Sequence, residues 1–569
     1  MPFPTSTGSR LILLTSVFTI ISIFLLLRPS SLLPSLSGFS SSSSTKNTQF
    51  HSGSNPNKTY PVSEDAQNQF SGKRVAIIGA GASGSSAAFF MRRATRTLER
   101  RLGLEEDSGK GVGEIVVFEK EGYVGGRSTT VHPHSDERTI PQELGASIFV
   151  AANKNMMKAA KHFNLTLIDP SYGERGLGIW DGNQFLYSTS ATDSTTSSWL
   201  DTARALMRYG PFSYTRTKSA VADLLKRFER LYDPAWLAQR GRVDSIEDFA
   251  ETVGLGREFT TRTGEDWAKN VVKVSDRWMG EIMEGGTRVN YATDLNLIHA
   301  LGAGVSLAAS GASQVQGGNW QIFQNMLDDS KAKMHLGTEV VDIISSSKSD
   351  GNAPRFHIKT NRTELNDDEP FDVVFFAAPW YSSPIAEGIT KSISEKIPHQ
   401  KYVHLHVTYL TTTRRHPIPS FFGLPDDAYI PNTIITTGVT SRQQAVPPPR
   451  FQSISWHGET YPGSGEYAVK IFSLTRLPER FLVEMLGEEP SWLLRKEWNS
   501  YPQLRPLATY APVEPVKGLQ YLGAMESWVS TMETQTISAR EAVARVVDGW
   551  WGLGQGECEA GLESWDWTC

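Results

Sequence analysis

The chain has 569 residues, 39% of them hydrophobic and 10% aromatic, more than one hydrophobic core usually supports, and at least two lobes are expected. Its 56 basic and 61 acidic side chains leave a formal net charge of -5, so no basic field gathers a polyanion, and nucleic acid is not an expected partner. Only two cysteines are present, Cys558 and Cys569, which excludes cysteine nucleophiles and thiolate metal sites in the core.

Residues 11–27 form an uncharged run of 17, mostly Leu, Ile, Val and Phe, between Arg10 and Arg28. That length suits a signal-peptide core or a signal anchor, and one Arg on each side gives no orientation bias. The Ser/Asn/Pro-rich stretch 29–71 then reads as a flexible stalk. Entry into the secretory pathway would make Asn57, Asn164 and Asn361 glycosylation acceptors. It would also let Cys558 and Cys569 close a small C-terminal loop, the alternative being two thiols on a frayed tail.

Folding is expected from about residue 72. Arg74-Val-Ala-Ile-Ile78 is a compact apolar run ending at glycine, as a strand buried on both faces of a parallel sheet should be. A helix from Ser83 to about Leu102 ends in an Arg-rich stretch suited to a helix C-terminus. After a Gly/Glu-rich loop over 103–113, Glu114-Ile-Val-Val-Phe-Glu119 is a second buried strand ending in an acid, completing a strand, helix, strand unit. Residues 165–284 are expected to be mainly helical and hold many aromatics, among them Trp199, Phe228, Tyr232 and Trp236. Phe371-Asp-Val-Val-Phe-Phe-Ala-Ala-Pro379 marks a return to the first sheet, and the alternating residues 402–411 suggest a second, antiparallel sheet.

Gly79-Ala-Gly81-Ala-Ser-Gly84 sits between that first strand and helix. Gly79 allows a tight turn, Gly81 leaves room for a pyrophosphate, and Gly84 lets helix and strand pack closely. The phosphates would meet the helix N-terminus, which begins at Ser83 and favours anions. Glu119 offers a carboxylate to the adenosine ribose, although it lies 35 residues beyond Gly84 rather than the usual twenty or so, the surplus falling in the 103–113 loop. Gly125 and Gly126 let the backbone pass close to a pyrophosphate or flavin, and Arg127 presents a planar fork suited to phosphate oxygens. Together, the two glycine motifs favour FAD over NAD.

This Gly-Gly-Arg step resembles the second dinucleotide motif of the glutathione-reductase-like flavoprotein superfamily, which includes amine oxidases and Rab GDP-dissociation inhibitors. Arg288-Val-Asn-Tyr291, Gly304-Val-Ser-Leu-Ala308 and Val315-Gln-Gly317-Gly318-Asn319, together with Glu143-Leu-Gly-Ala-Ser147, narrow the resemblance to the prenylcysteine oxidase (prenylcysteine lyase) family. The similarity runs from about residue 74 to 547, weakening in the middle and around 417–449.

The resemblance implies an α/β fold, a Rossmann-type FAD-binding domain with an inserted α+β substrate domain of antiparallel sheet and helices. The expected division is a signal segment at 1–28, stalk at 29–71, FAD-binding parts at 72–165, 286–400 and 516–569, a helical substrate part at 166–285 and a substrate sheet at 401–515. It further implies that Val340 contacts the adenine and Glu526 lies near the ribityl chain or pyrophosphate. The implied substrates are a prenylated cysteine and O2, the implied setting a lysosome or vacuole lumen with membrane association possible through 11–27. A flavin amine oxidase and a non-catalytic prenyl-binding protein like the Rab inhibitors are the alternatives. His404 and His406 are acid/base candidates on a strand. No catalytic residue and no metal site is assigned.

Overall fold

A computed structural model of the chain describes residues 72–170, 176–189, 195–309, 311–346, 354–365, 369–385 and 396–569. The apolar run 11–27, the stalk and Asn57 lie outside them. No helix among the described residues is long and apolar enough to cross a membrane.

The two principal sheets use strands β1 (Lys73–Ile78), β2 (Val112–Phe118), β3 (Leu177–Trp180), β4 (Phe185–Ser188), β5 (Lys333–His335), β6 (Val373–Phe376), β7 (Tyr402–Thr412), β8 (Thr433–Thr436), β9 (Ser453–Glu459), β10 (Tyr467–Ser473), β11 (Trp492–Pro502) and β12 (Leu519–Tyr521). The first sheet is parallel throughout, in the order β12-β6-β1-β2-β5. Alternate residues of β1 enter different cores: Val75 and Ile77 pack with the helices Ala82–Arg101, Trp320–Ser330 and Met532–Trp551, whereas Ala76 and Ile78 face the core shared with the rest of the molecule. Burial on both faces explains why the strand reads as an unbroken apolar run.

The second sheet has the order β11-β7-β10-β9-β8-β3-β4 and is antiparallel except where β8 lies parallel to β3. Its β7 turns Val403, Leu405 and Val407 into a core with Tyr409 and Trp498, while His404 between them is exposed. A helical lobe, including Ser213–Phe228, Ile246–Val253, Glu284–Tyr291 and Ala300–Ser306, closes against this sheet and the first.

Two readings of the sequence need correction. The stretch expected to be mainly helical begins with β3 and β4, which extend the second sheet. Both are four-residue runs flanking Gly182, whose φ is +103°, and so short a run has no period to read. The part expected to belong to the FAD-binding domain from residue 286 also opens differently. The helices Glu284–Tyr291 and Ala300–Ser306 belong to the helical lobe, and Trp320–Ser330 is the helix that packs beside Ala82–Arg101.

Cys558 and Cys569 form a disulfide with Cα atoms 5.8 Å apart. The tail is packed rather than frayed: Trp565 and Trp567 are buried, and the Trp567 ring lies 4.8 Å from that of Phe89.

Candidate active site

The turn after β1 opens into a cavity of about 870 Å³, near the top of the range of about 300–1,000 Å³ usual for ligand sites. Gly79 has a φ of +103°, and a Cβ on Gly84 would stand 1.8 Å from the Gly79 carbonyl oxygen, so the turn and the helix contact both require glycine. Gly81 differs: a Cβ there would meet nothing nearer than 3.9 Å, and the residue lines the cavity. The helix Ala82–Arg101 has no acid in its first turn and no side-chain cap, which leaves its N–H groups open to an anion. Ser83, in that first turn, also lines the cavity.

The second glycine step meets the first directly. Gly125 N–H donates to the Ala80 carbonyl at 2.9 Å, and a Cβ on Gly126 would come within 3.3 Å of the Gly81 Cα. Glu119 is 7% exposed, so it is not a solvated strand-end acid; its carboxylate accepts from Ala80 N–H at 2.7 Å and Glu121 N–H at 2.9 Å. Burial pushes this carboxyl up, and the two N–H groups only partly offset that. Thr338 N–H donates to the Glu119 carbonyl at 2.8 Å, which brings buried Val340 to the same end of the cavity.

Arg127 departs from the expectation of a fork open to phosphate. One guanidinium nitrogen donates to the Ser500 carbonyl at 2.5 Å and another to the Glu526 carboxylate, which also accepts from the Tyr402 hydroxyl. The physical reason is Glu526 itself: its side chain is 4% exposed, and pairing with a cation offsets the cost of burying a carboxylate. Arg127 still lines the cavity, with Glu526 behind it.

Beyond Arg127 the cavity changes character. It is also lined by the loop 144–150 and Lys470, and by an apolar set, Leu224, Phe228, Leu255, Leu301, Val305 and Trp528. Lys470 Nζ donates to the Glu143 carbonyl at 2.7 Å and to Ser147 Oγ at 3.0 Å, and lies over the Tyr409 and Phe472 rings. Burial pulls this amine down to about 8, against the attraction of the Glu143 carboxyl, which burial in turn pushes up to about 8. A second helix N-terminus, Met532–Trp551, opens on the cavity. Its Glu533 accepts from Asn155 N–H, Met156 N–H and the Tyr232 hydroxyl.

Sequence comparison assigns this arrangement. A model described as prenylcysteine lyase matches residues 192–557, and one described as an NAD(P)-binding Rossmann-like domain matches 77–163. The chain belongs to the prenylcysteine lyase family. It is similar to a farnesylcysteine lyase of Arabidopsis thaliana (27% identity over 83% of this chain and 87% of that one) and to prenylcysteine oxidase 1 of Homo sapiens (26% over 84% and 90%). Among solved structures, a redesigned putrescine oxidase superposes with a TM-score of 0.51 at 14% identity, over 84% of this chain and 99% of that one; this shows the shared fold.

For a prenylcysteine lyase family member the dinucleotide is FAD, and the residues present fit it: paired glycine turns, an uncapped helix N-terminus and a buried acid at the strand end. The family motifs also acquire physical roles. Asn319 donates its N–H to Glu143 Oε1 at 2.7 Å and its side-chain amide to the Ala146 carbonyl at 2.9 Å, which fixes the cavity loop. Arg288 pairs with Asp294, and its neighbours Val289 to Tyr291 line the cavity. His404 and His406 do not line it; they stand with Glu497 in a cluster whose ligand atoms lie within 4.8 Å of one another. Sequence reasoning missed Lys470, although a lone lysine within the apolar run of β10 was an available signal, since lysine is almost never buried without a role or a partner.

Proposed function

We propose that this chain is an FAD-dependent oxidase that cleaves the thioether of a prenylated cysteine, consuming O2 and water and yielding prenyl aldehyde, cysteine and hydrogen peroxide. One observation carries the reading: a single cavity is lined both by the backbone-built glycine turns and Glu119 and by an apolar set of side chains, in a chain of the prenylcysteine lyase family. Bound FAD would supply the hydride acceptor and the route by which electrons reach O2.

The protein contributes orientation and exclusion. Leu224, Phe228, Leu301 and Val305 offer the isoprenoid an apolar wall, where each buried methylene-sized group contributes about 0.8 kcal/mol. Holding the chain there presents the carbon beside sulfur to the far end of the dinucleotide, replacing a bimolecular encounter with a fixed geometry. Sulfur lone pairs stabilise the cation left by hydride loss, so no strong acid or base is needed for that step.

The test is turnover of the purified, FAD-loaded protein with farnesylcysteine beside a panel of primary amines. Peroxide, aldehyde and free thiol should appear in equal amounts from farnesylcysteine alone; turnover of amines alone would replace this reading with an amine oxidase.

The same proposal includes residence in the secretory pathway, in a lysosome or vacuole lumen, with residues 11–27 as signal or anchor. Exposed Asn164 and Asn361 and the Cys558–Cys569 disulfide support it. Endoglycosidase treatment of the protein from its native cells should lower its mass, and an unmodified protein recovered with cytosol would overturn the assignment.

A further inference from the structure

Lys470 occupies a place that costs an ammonium dearly. It is 7% exposed, sits on β10 inside the second sheet, and lines the cavity that Gly81, Arg127 and Phe228 also line. Its charge has no carboxylate hydrogen bond: the partners of Nζ are a main-chain carbonyl, that of Glu143, and the Ser147 hydroxyl. A neutral amine has two N–H donors, and these two acceptors take both, so the nitrogen lone pair is left as the group available to the cavity. The titratable side chains around it come from each neighbouring element: Glu143 from the short strand Gln142–Glu143, Tyr409 from β7 and His457 from β9. Burial pulls His457 well down, with the nearby lysine adding to the shift, so this histidine is neutral at physiological pH and leaves the proton to Lys470.

We propose that Lys470 carries the proton through the C–S cleavage stage, its Nζ accepting a proton from the water that adds to the oxidised carbon and returning it to the departing sulfur. The inference rests on the thioether oxidase reading above. After hydride loss, water oxygen bonds to carbon and one water proton moves to Nζ, giving a hemithioacetal and an ammonium. The C–S bond then breaks as the carbonyl forms, and the sulfur leaves with the Nζ proton as free cysteine thiol. The hydroxyl proton passes to solvent water as the carbonyl forms, and an equal proton is taken up later when the hydride electrons reduce O2 to hydrogen peroxide. Burial draws the amine down to about 8, near the ordinary thiol value of about 8.5, so the transfer to sulfur is close to balanced.

The experiment is an anaerobic single turnover of the FAD-loaded protein with farnesylcysteine, reading flavin bleaching and thiol release separately. Lys470→Met should keep its flavin and bleach at the wild-type rate, yet release thiol about 10²- to 10⁴-fold more slowly. Thiol release by the wild-type protein should rise with pH through the region near 8 and level off above it, because the neutral amine is the active form. The limb should vanish in Lys470→Met. In Glu143→Gln it should persist but move to lower pH, since the Glu143 charge is what raises the lysine. Wild-type thiol release by Lys470→Met, or loss of its bleaching, would overturn the role. A Lys470→Met protein without flavin transfers the decision to Glu143→Gln, where an unmoved limb overturns it. If the wild-type flavin does not bleach, the failure lies instead with the thioether reading.

Discussion

At the end of the cavity that begins at Gly79, what a ligand would meet is main chain: bare glycine Cα atoms, uncapped N–H groups and a carboxyl held by two backbone donors. At Phe228, Lys470 and the other side chains that line it, a ligand would meet groups delivered by a helix, a loop and several strands far apart in sequence. Main-chain sites depend on conformation, so they tolerate no added atoms but leave a compact sequence pattern. Side-chain sites depend on tertiary register, so they can be altered one residue at a time without disturbing the dinucleotide end.

The sharpest way to break the contrast is Gly81→Leu. The φ of Gly81 is −81°, ordinary for any residue, and its Cβ would meet no atom closer than 3.9 Å, so the fold should survive while the branched side chain fills the cavity. Complete loss of flavin absorbance is expected, with thermal stability close to that of the wild-type protein stripped of flavin. A fully flavinated variant would show that the turn does not hold the dinucleotide.

Arg127→Met probes the seam between the two ends. With Glu526 left buried and unpaired, stability should fall by about 2–3 kcal/mol, below the 3–5 of a fully buried pair because the Arg127 side chain is 32% exposed. The double variant with Glu526→Gln should recover much of that in chemical denaturation, and absence of coupling between the two changes would refute the pairing.

The smallest effect is expected from Phe228→Ala, on the apolar wall. Flavin content should be unchanged, while KM for farnesylcysteine should rise about tenfold, equivalent to about 1.4 kcal/mol. An effect on flavin instead of KM would mean that the two ends are not separable.

The same contrast explains what could be read from the residues alone. Both glycine motifs, Glu119 and the β1, β2 and β6 runs were legible because each is a local pattern imposed by backbone geometry. The role of Arg127 was not, since its partner Glu526 lies 399 residues away, and nothing near either residue announces the other. Lys470 is fixed by the register of β10 against β7 and β9, which pairs it with Tyr409 and Ser455. The strands β3 and β4 were missed for a different reason: four residues are too few to carry a period, and they are strands because β8 receives β3, which in turn receives β4.

The packed C-terminal segment has a consequence for biogenesis. Strand β12, the helix Met532–Trp551 and the disulfide-closed tail all pack onto the domain whose glycine turn lies near residue 79, and residues 532–535 form part of the cavity wall. A polypeptide stalled before residue 519 would lack that edge strand and part of the cavity wall, and should be left without flavin colour.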